Sequence, residues 1–303
     1  MGDERNSSID FLRVLAIGLI IAFHFTYSYF PDERLRYLGF VGISLFFIIS
    51  GFLLANNYLS NEKFSVKWFL KRYIKIAFLY YPTLIAIVLI FGEQVYSGNL
   101  SKNLLLHFVF LDFTSPETSF GIISTAWFLV PLMAFYLAFP YLNKLIKRYN
   151  YSISLIIAAA VLFRFYKGGL ISFNPLFFLG EFCFGILFAR DKKNIFLFSS
   201  LLMFAYGYIF FIPFAVFYCF YFLNFNFIAK ILSFIGKNTL PLFLFHESVI
   251  MVIVGSWKAY SLNKPAAIFL IAVVSIFLTY ISSKINKFIC RKYFNVKNPA
   301  VQK

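Results

Sequence analysis

The chain has 303 residues, of which 61% are hydrophobic, 22% aromatic and only 13% charged, with a mean hydropathy of +0.80. A soluble domain carries about 25% charged and 45–50% apolar residues, so an ordinary soluble core is excluded and the apolar surplus must face hydrocarbon. The net charge of +16 does not mark a nucleic-acid binder, because the basic residues sit between apolar runs rather than in one arm or groove.

A helix crosses the bilayer in about 20 apolar residues. On that ruler the runs are 9–30, 38–57, 73–92, 122–143, 151–167, 174–189, 195–210, 212–224, 239–256 and 266–285. The first begins at Ile9 and has no small-residue cleavage site before Pro31-Asp32-Glu33, so it is expected to span rather than to be a cleaved leader. The stretch from Leu100 to Asp112 is too short to cross and reads as interfacial or re-entrant, with His107 an interfacial residue rather than a ligand. Pro213 either divides 195–224 into two spans or kinks one.

Orientation tests this count. With the N-terminus inside, only seven of the 28 Lys and Arg fall in external segments: Arg34, Arg36, Lys102, Arg164, Lys167, Lys258 and Lys264. The threefold internal bias fits an even number of crossings. The expected fold is therefore an all-α integral membrane bundle of about ten helices, with both termini cytoplasmic. It is expected to form a single domain over 1–303, without an appended soluble domain. Cys183, Cys219 and Cys290 lack metal or redox spacing, so no metal is expected.

The first run carries the sharpest chemical signal. Eleven steps lead from Arg13 to His24, a rotation within about 20° of full register and a rise of roughly 16 Å, so both share one helix face. Asp10 lies three residues before Arg13 and is placed to pair with it. Ionisable groups inside a bilayer are expensive and mark functional sites by default. The plainer reading makes Arg13 a cytoplasmic anchor and His24 an interhelical hydrogen bonder. In the second run, Gly39, Gly42, Ser50 and Gly51 either allow close helix packing or expose backbone to a ligand. Arg72 and Lys75 lie one turn apart at the cytoplasmic surface, where they fit positive-inside flanking or the phosphates of an anionic cofactor.

Taken in order, these residues resemble the signature of the acyltransferase family 3 membrane proteins. Arg13, ten residues and His24 resemble the family's first motif, and Phe46-Phe47-Ile48-Ile49-Ser50-Gly51 its Phe-Phe-x-x-Ser-Gly motif. Arg72 and Lys75 resemble its basic pair. Ala126-Trp127-Phe128-Leu129 with Phe135-Tyr136 and Pro140 resemble its Trp-x-Leu helix, and Gly236-Lys237-Asn238-Thr239 running to His246 its Gly-Lys-x-Ser/Thr…His segment. The similarity extends from residue 9 to about 250.

The resemblance implies transfer of an acyl group, usually acetyl, from cytoplasmic acyl-CoA to a hydroxyl of a polysaccharide or lipid-linked glycan across the bacterial cytoplasmic membrane. It implies that His24 is the catalytic base or acyl acceptor, with Arg13 and Asp10 beside it. Arg72, Lys75, Ser50 and Gly51 would serve the acetyl-CoA donor, and Trp127, His246 and Glu181 the substrate. The chain departs from the family pattern in three places. Ser44 stands where many members have an acid, Lys75 replaces the second arginine, and Pro131-Leu132-Met133 lacks a Glu that often follows the Trp motif. Glu181 and Glu247 are candidates for the missing acid, although Glu181 equally suits a structural pairing with Arg164. A transporter or flippase for a glycan or acylated intermediate is the alternative, with His24 and Arg13 as its proton or substrate site. It is disfavoured by the absence of an inverted repeat and by the concentration of motifs in the first three runs.

Overall fold

The computed structural model describes residues 7–59, 66–95, 100–108, 110, 122–149, 152–168, 174–190, 207–223, 225–256 and 264–294. Among these the regular structure is helical throughout. The helices are α1 (Ser7–Tyr29), α2 (Arg36–Leu59), α3 (Val66–Val95), α4 (Leu100–Phe108), α5 (Leu129–Arg148), α6 (Ser152–Lys167), α7 (Leu179–Ala189), α8 (Tyr208–Tyr221), α9 (Ala229–Lys237), α10 (Thr239–Ile250) and α11 (Lys264–Phe294). Five stretches are long and apolar enough to cross a membrane: Ser7–Ser28, Glu33–Asn57, Trp68–Leu89, Thr125–Arg148 and Ala266–Lys284. Pro175–Ala189, Tyr208–Tyr221 and Thr239–Ile250 are shorter apolar helices.

These helices follow most of the expected runs, with informative shifts. α3 begins before its apolar run, so the basic stretch around Arg72 is helical rather than a loop. Pro213 lies inside α8 and divides nothing, so the boundary between the seventh and eighth runs falls before Tyr208. At position six Pro213 lies past the first turn, so α8 gives up the backbone hydrogen bond to Ile209 without ending there. Most of the run 195–210 lies outside the described residues.

By packing, the chain falls into two compact units. One gathers Met1–Asp10, Ile74–Thr125 and Phe225–Lys303, the other Phe11–Tyr73 and Ala126–Asn224.

In the second unit, small residues set the helix contacts. A Cβ on Gly42 would stand 2.6 Å from the carbonyl oxygen of Ala16, and one on Gly39 2.8 Å from the ring of Phe23. Pairing numbers fall on α1 as they rise on α2, so the two helices are antiparallel. Their connection is short because Asp32 caps the turn Glu33–Leu35, accepting from the Arg34 N–H at 2.9 Å. The Arg34 side chain also grips Asp32, and that hydrogen bonding holds the Asp32 carboxyl below the usual carboxylate range.

The contact between α2 and α7 is closer still. A Cβ on Gly51 would overlap the carbonyl oxygen of Phe182, and one on Gly185 would overlap that of Ile48. Ser44 meets Glu181 and Phe52 meets Phe188, so numbers rise together and α2 and α7 run parallel. Phe47 packs around this core, stacked on Phe178 at 4.7 Å and edge-on to Phe135 at 5.3 Å. Phe135 in turn stacks on Phe182 at 4.7 Å. At one end of α7, Arg190 donates to the Asn143 amide oxygen of α5 at 2.5 and 3.1 Å.

In the first unit, α4 is pinned to α3. The Tyr81 hydroxyl donates to the Phe108 carbonyl at 2.9 Å and the Tyr80 hydroxyl meets His107 Nδ1 at 2.7 Å. The α10 backbone is tied down where Thr125 Oγ1 donates to the Phe243 carbonyl at 3.4 Å.

Candidate functional site

Arg13 and His24 lie on one helix, as their spacing requires, and both are half-buried rather than sealed in the core. The His24 ring lies against Phe23 at 4.7 Å between centroids. Its backbone carbonyl accepts from Ser28 Oγ at 2.7 Å, which absorbs the serine locally and leaves the imidazole to other partners.

Arg72 lies in the same unit as Arg13. It is 4.5 Å from the centre of the Trp68 ring and 5.7 Å from that of Tyr136, the tyrosine of the Phe135-Tyr136 pair. Such cation–π contacts hold a guanidinium without consuming its N–H donors. Arg72 Nε is buried and has no hydrogen-bond partner among the described residues. Two motifs far apart in sequence thus meet in the second unit, and Arg72 keeps a donor for an anion. The aromatic platform escaped the sequence reading. Its signal was the four-residue step from Trp68 to Arg72, which puts both on one helix face. Lys75 lies on α3, but its side chain is outside the described residues.

Glu181 is fully enclosed and pairs with Arg164 at 2.9 Å, each side chain 1% exposed. Ser44 Oγ donates to the same carboxylate oxygen at 3.4 Å. A carboxylate therefore does stand beside Ser44, contributed by α7. Arg164 also donates to the Phe177 carbonyl and is ringed by Phe40, Phe177, Phe178 and Phe210 at 5.1 to 5.8 Å. The structural pairing that the sequence left open for Glu181 is thus formed. Gly51 likewise faces the α7 backbone, which serves helix approach and leaves no room for a cofactor at its Cα. Ser50 beside it is half-buried. Trp127 is buried and lies 6.2 Å from Phe178.

Asp10 and His246 belong to the first unit. Asp10 is buried against Gly236, where a Cβ would come within 2.9 Å of its Oδ1, so the Gly-Lys-x-Thr glycine makes room for the aspartate. His246 is fully buried with Nδ1 2.7 Å from the Phe243 carbonyl. A carbonyl only accepts, so Nδ1 carries the proton and Nε2 is the basic nitrogen of the neutral ring. His107 is also fully buried, not interfacial as expected from sequence. Its Nε2 accepts from the Ile122 N–H at 3.2 Å, which leaves Nδ1–H to donate to Tyr80. Among the described residues, no three His, Cys, Asp or Glu gather as a metal site.

Comparison with known proteins agrees with this geometry. A family model described as an acyltransferase domain matches residues 6–229. The peptidoglycan O-acetyltransferase OatA of Listeria monocytogenes is 27% identical over 150 residues, covering 44% of this chain and 23% of that protein. The matched stretch is thus under a quarter of the relative's length. No solved structure matches.

Proposed function

Because the chain belongs to the acyltransferase family whose model it matches over residues 6–229, we propose that it is a multi-pass O-acetyltransferase of the bacterial cytoplasmic membrane, moving acetyl from cytoplasmic acetyl-CoA to a hydroxyl of a surface or lipid-linked glycan. The observation that carries this reading is Arg72 held against Trp68 and Tyr136 in the same unit as Arg13 and His24, which share one helix. Ten crossings with both termini cytoplasmic put that arginine end inside and His24 toward the outer leaflet. Acetyl-CoA is then held from the cytoplasm by Arg72 and Lys75, with Ser50 along the way. Trp127 and His246 serve the acceptor. Glu181 secures α7 against α2 and α6 through Arg164 and Ser44. The name of the Listeria relative favours a glycan acceptor of the peptidoglycan type.

The chemistry follows from the imidazole. A neutral imidazole has a lone pair that can take a proton or carry an acyl group. His24 takes the proton of the acceptor hydroxyl as its oxygen attacks the thioester carbonyl. The carbon–sulfur bond breaks and the coenzyme A sulfur receives that proton from the imidazolium, so the ester and free thiol are formed in balance. A two-step route, in which the imidazole first carries the acetyl group, gives the same products. Arg13, roughly 16 Å from His24 along the axis, helps hold the anionic part of the donor rather than the reacting carbonyl.

Membranes containing the chain, given labelled acetyl-CoA and a peptidoglycan-type acceptor, test the reading. Label is expected in the glycan with wild type and not with His24→Ala. Undiminished label with His24→Ala removes His24 from the chemistry. Failure of glycan export on deletion, with no acetylation by wild type, replaces the enzyme with a transporter.

A further inference from the structure

We infer that the end of α5 carries a binding site for an anionic phospholipid, formed by Lys144 and Arg148 with the apolar residues that precede them on the same face. Thr125–Arg148 is long and apolar enough to cross a membrane, so its last turns lie at headgroup level. Leu137, Tyr141, Lys144 and Arg148 follow one another at steps of four, three and four residues, which puts them on one side of the helix. That side faces outward: Leu137 and Tyr141 are 51% and 76% exposed, and Lys144 and Arg148 are exposed beyond them. The opposite side carries Phe139, Asn143 and Ile146, all buried. A face that runs from leucine through tyrosine to two cations follows a lipid from its tail to its phosphate.

The cations lack neutralisation from the protein. Between Glu117 and Glu181 the chain has no Asp or Glu. Among the described residues, Lys144, Lys147 and Arg148 make no ion pair and no side-chain hydrogen bond. The turn after α1 is built differently, for there Arg34 pairs with Asp32 at 2.6 Å and Arg36 with Glu33 at 2.8 Å. The helix dipole accounts for basic residues in the last turn of α5, Lys147 and Arg148. It does not account for Lys144, which stands a turn earlier.

Arg148 is held ready for an anion. Its guanidinium lies 5.3 Å from the centre of the Tyr149 ring, a contact that uses none of its N–H donors. The helix end beneath it is fixed from inside. Arg190 of α7 donates twice to the Asn143 amide oxygen, and the Tyr149 N–H closes on the Leu145 carbonyl at 2.9 Å. The guanidinium fork matches two phosphate oxygens, and Lys144, one turn back, adds a point charge to the same group. The face also selects the source of the phosphate. A soluble phosphate covers the cations and leaves Leu137 and Tyr141 unmatched, whereas a phospholipid is held at both ends.

This site does not depend on the proposed acetyl transfer, and its test needs no turnover. The full chain in detergent is equilibrated with equimolar phosphatidylglycerol and phosphatidylcholine, and the retained lipid is counted by native mass spectrometry. Wild type is expected to retain phosphatidylglycerol preferentially, and Lys144→Gln/Arg148→Gln to lose about tenfold of that preference. The charge-matched control is Lys167→Gln/Lys284→Gln, two exposed lysines that lie singly beside tyrosine rings at 5.3 and 5.4 Å. It is expected to keep the preference within about twofold, because the two charges are removed away from the site. Both double variants are expected to melt with wild type in phosphatidylcholine, since exposed side chains give up no protein partner. If the first melts lower, Lys144→Ala alone carries the test, with an expected loss of about threefold. Equal retention of the two lipids by wild type, equal loss in the two double variants, or displacement of the lipid by soluble glycerophosphoglycerol overturns the site. The second result reduces the cations to general surface charge, and the third makes them a soluble-phosphate site.

Discussion

Two sets of ionisable side chains lie in the second unit, and they are treated differently. Arg164 and Glu181 are sealed at 1% exposure and pair with each other across α6 and α7, with Arg164 Nε and Nη1 and Glu181 Oε2 left without a hydrogen-bond partner among the described residues. Arg13, His24 and Arg72 are half-buried, and Arg72 rests against the rings of Trp68 and Tyr136. A charge enclosed with its counter-charge is committed to the fold. A charge propped against rings keeps its donors for something that arrives. In an apolar bundle, the second kind marks where chemistry is done.

The contrast gives an ordered set of expectations. The largest belongs to the open set: His24→Ala should lower acetyl transfer by about 10²- to 10⁴-fold, the usual contribution of a positioned acid–base group, without lowering the melting temperature. Activity retained by that variant would merge the two sets. Next, Arg164→Met should destabilise the chain by about 3–5 kcal/mol, because it strands the Glu181 carboxylate in the core. Adding Glu181→Leu should restore most of that loss, as read from thermal unfolding in detergent. A double variant no more stable than the single one would show that the pair is not closed.

Smaller effects follow. Gly185→Ala should cost about 1–3 kcal/mol, since its Cβ meets the backbone of Ile48 and Phe52 with no flexible side chain to yield. A neutral result would mean that α2 and α7 can separate at little cost. Arg72→Lys should raise the KM for acetyl-CoA about fivefold with little change in kcat, reflecting roughly 1 kcal/mol from a lost guanidinium hydrogen bond. A change in kcat alone would move Arg72 from donor binding to the reaction itself.

Much of this was legible in the sequence. The eleven-residue step from Arg13 to His24 fixes a shared face because helix geometry is rigid, and no later contact alters it. The apolar runs mark helices well, because lipid demands internal backbone hydrogen bonding. What stayed hidden depends on partners distant in the chain. Gly51 reads equally as a ligand-facing or a packing glycine until Phe182 is seen against it. Glu181 reads as an acid in search of a role until Arg164 answers it. Pro213 left two readings open for a different reason: whether a proline divides a run depends on where the helix starts, which composition does not reveal.

The sharpest test sets the two kinds of charge side by side. Labelled acetyl transfer is measured in membranes bearing either His24→Ala or the double variant Arg164→Met/Glu181→Leu, each shown to be folded. The double variant is expected to transfer acetyl at a rate close to wild type while His24→Ala transfers almost none. A folded double variant without activity, or an active His24→Ala, would contradict the division between charges that hold the fold and charges that perform the reaction.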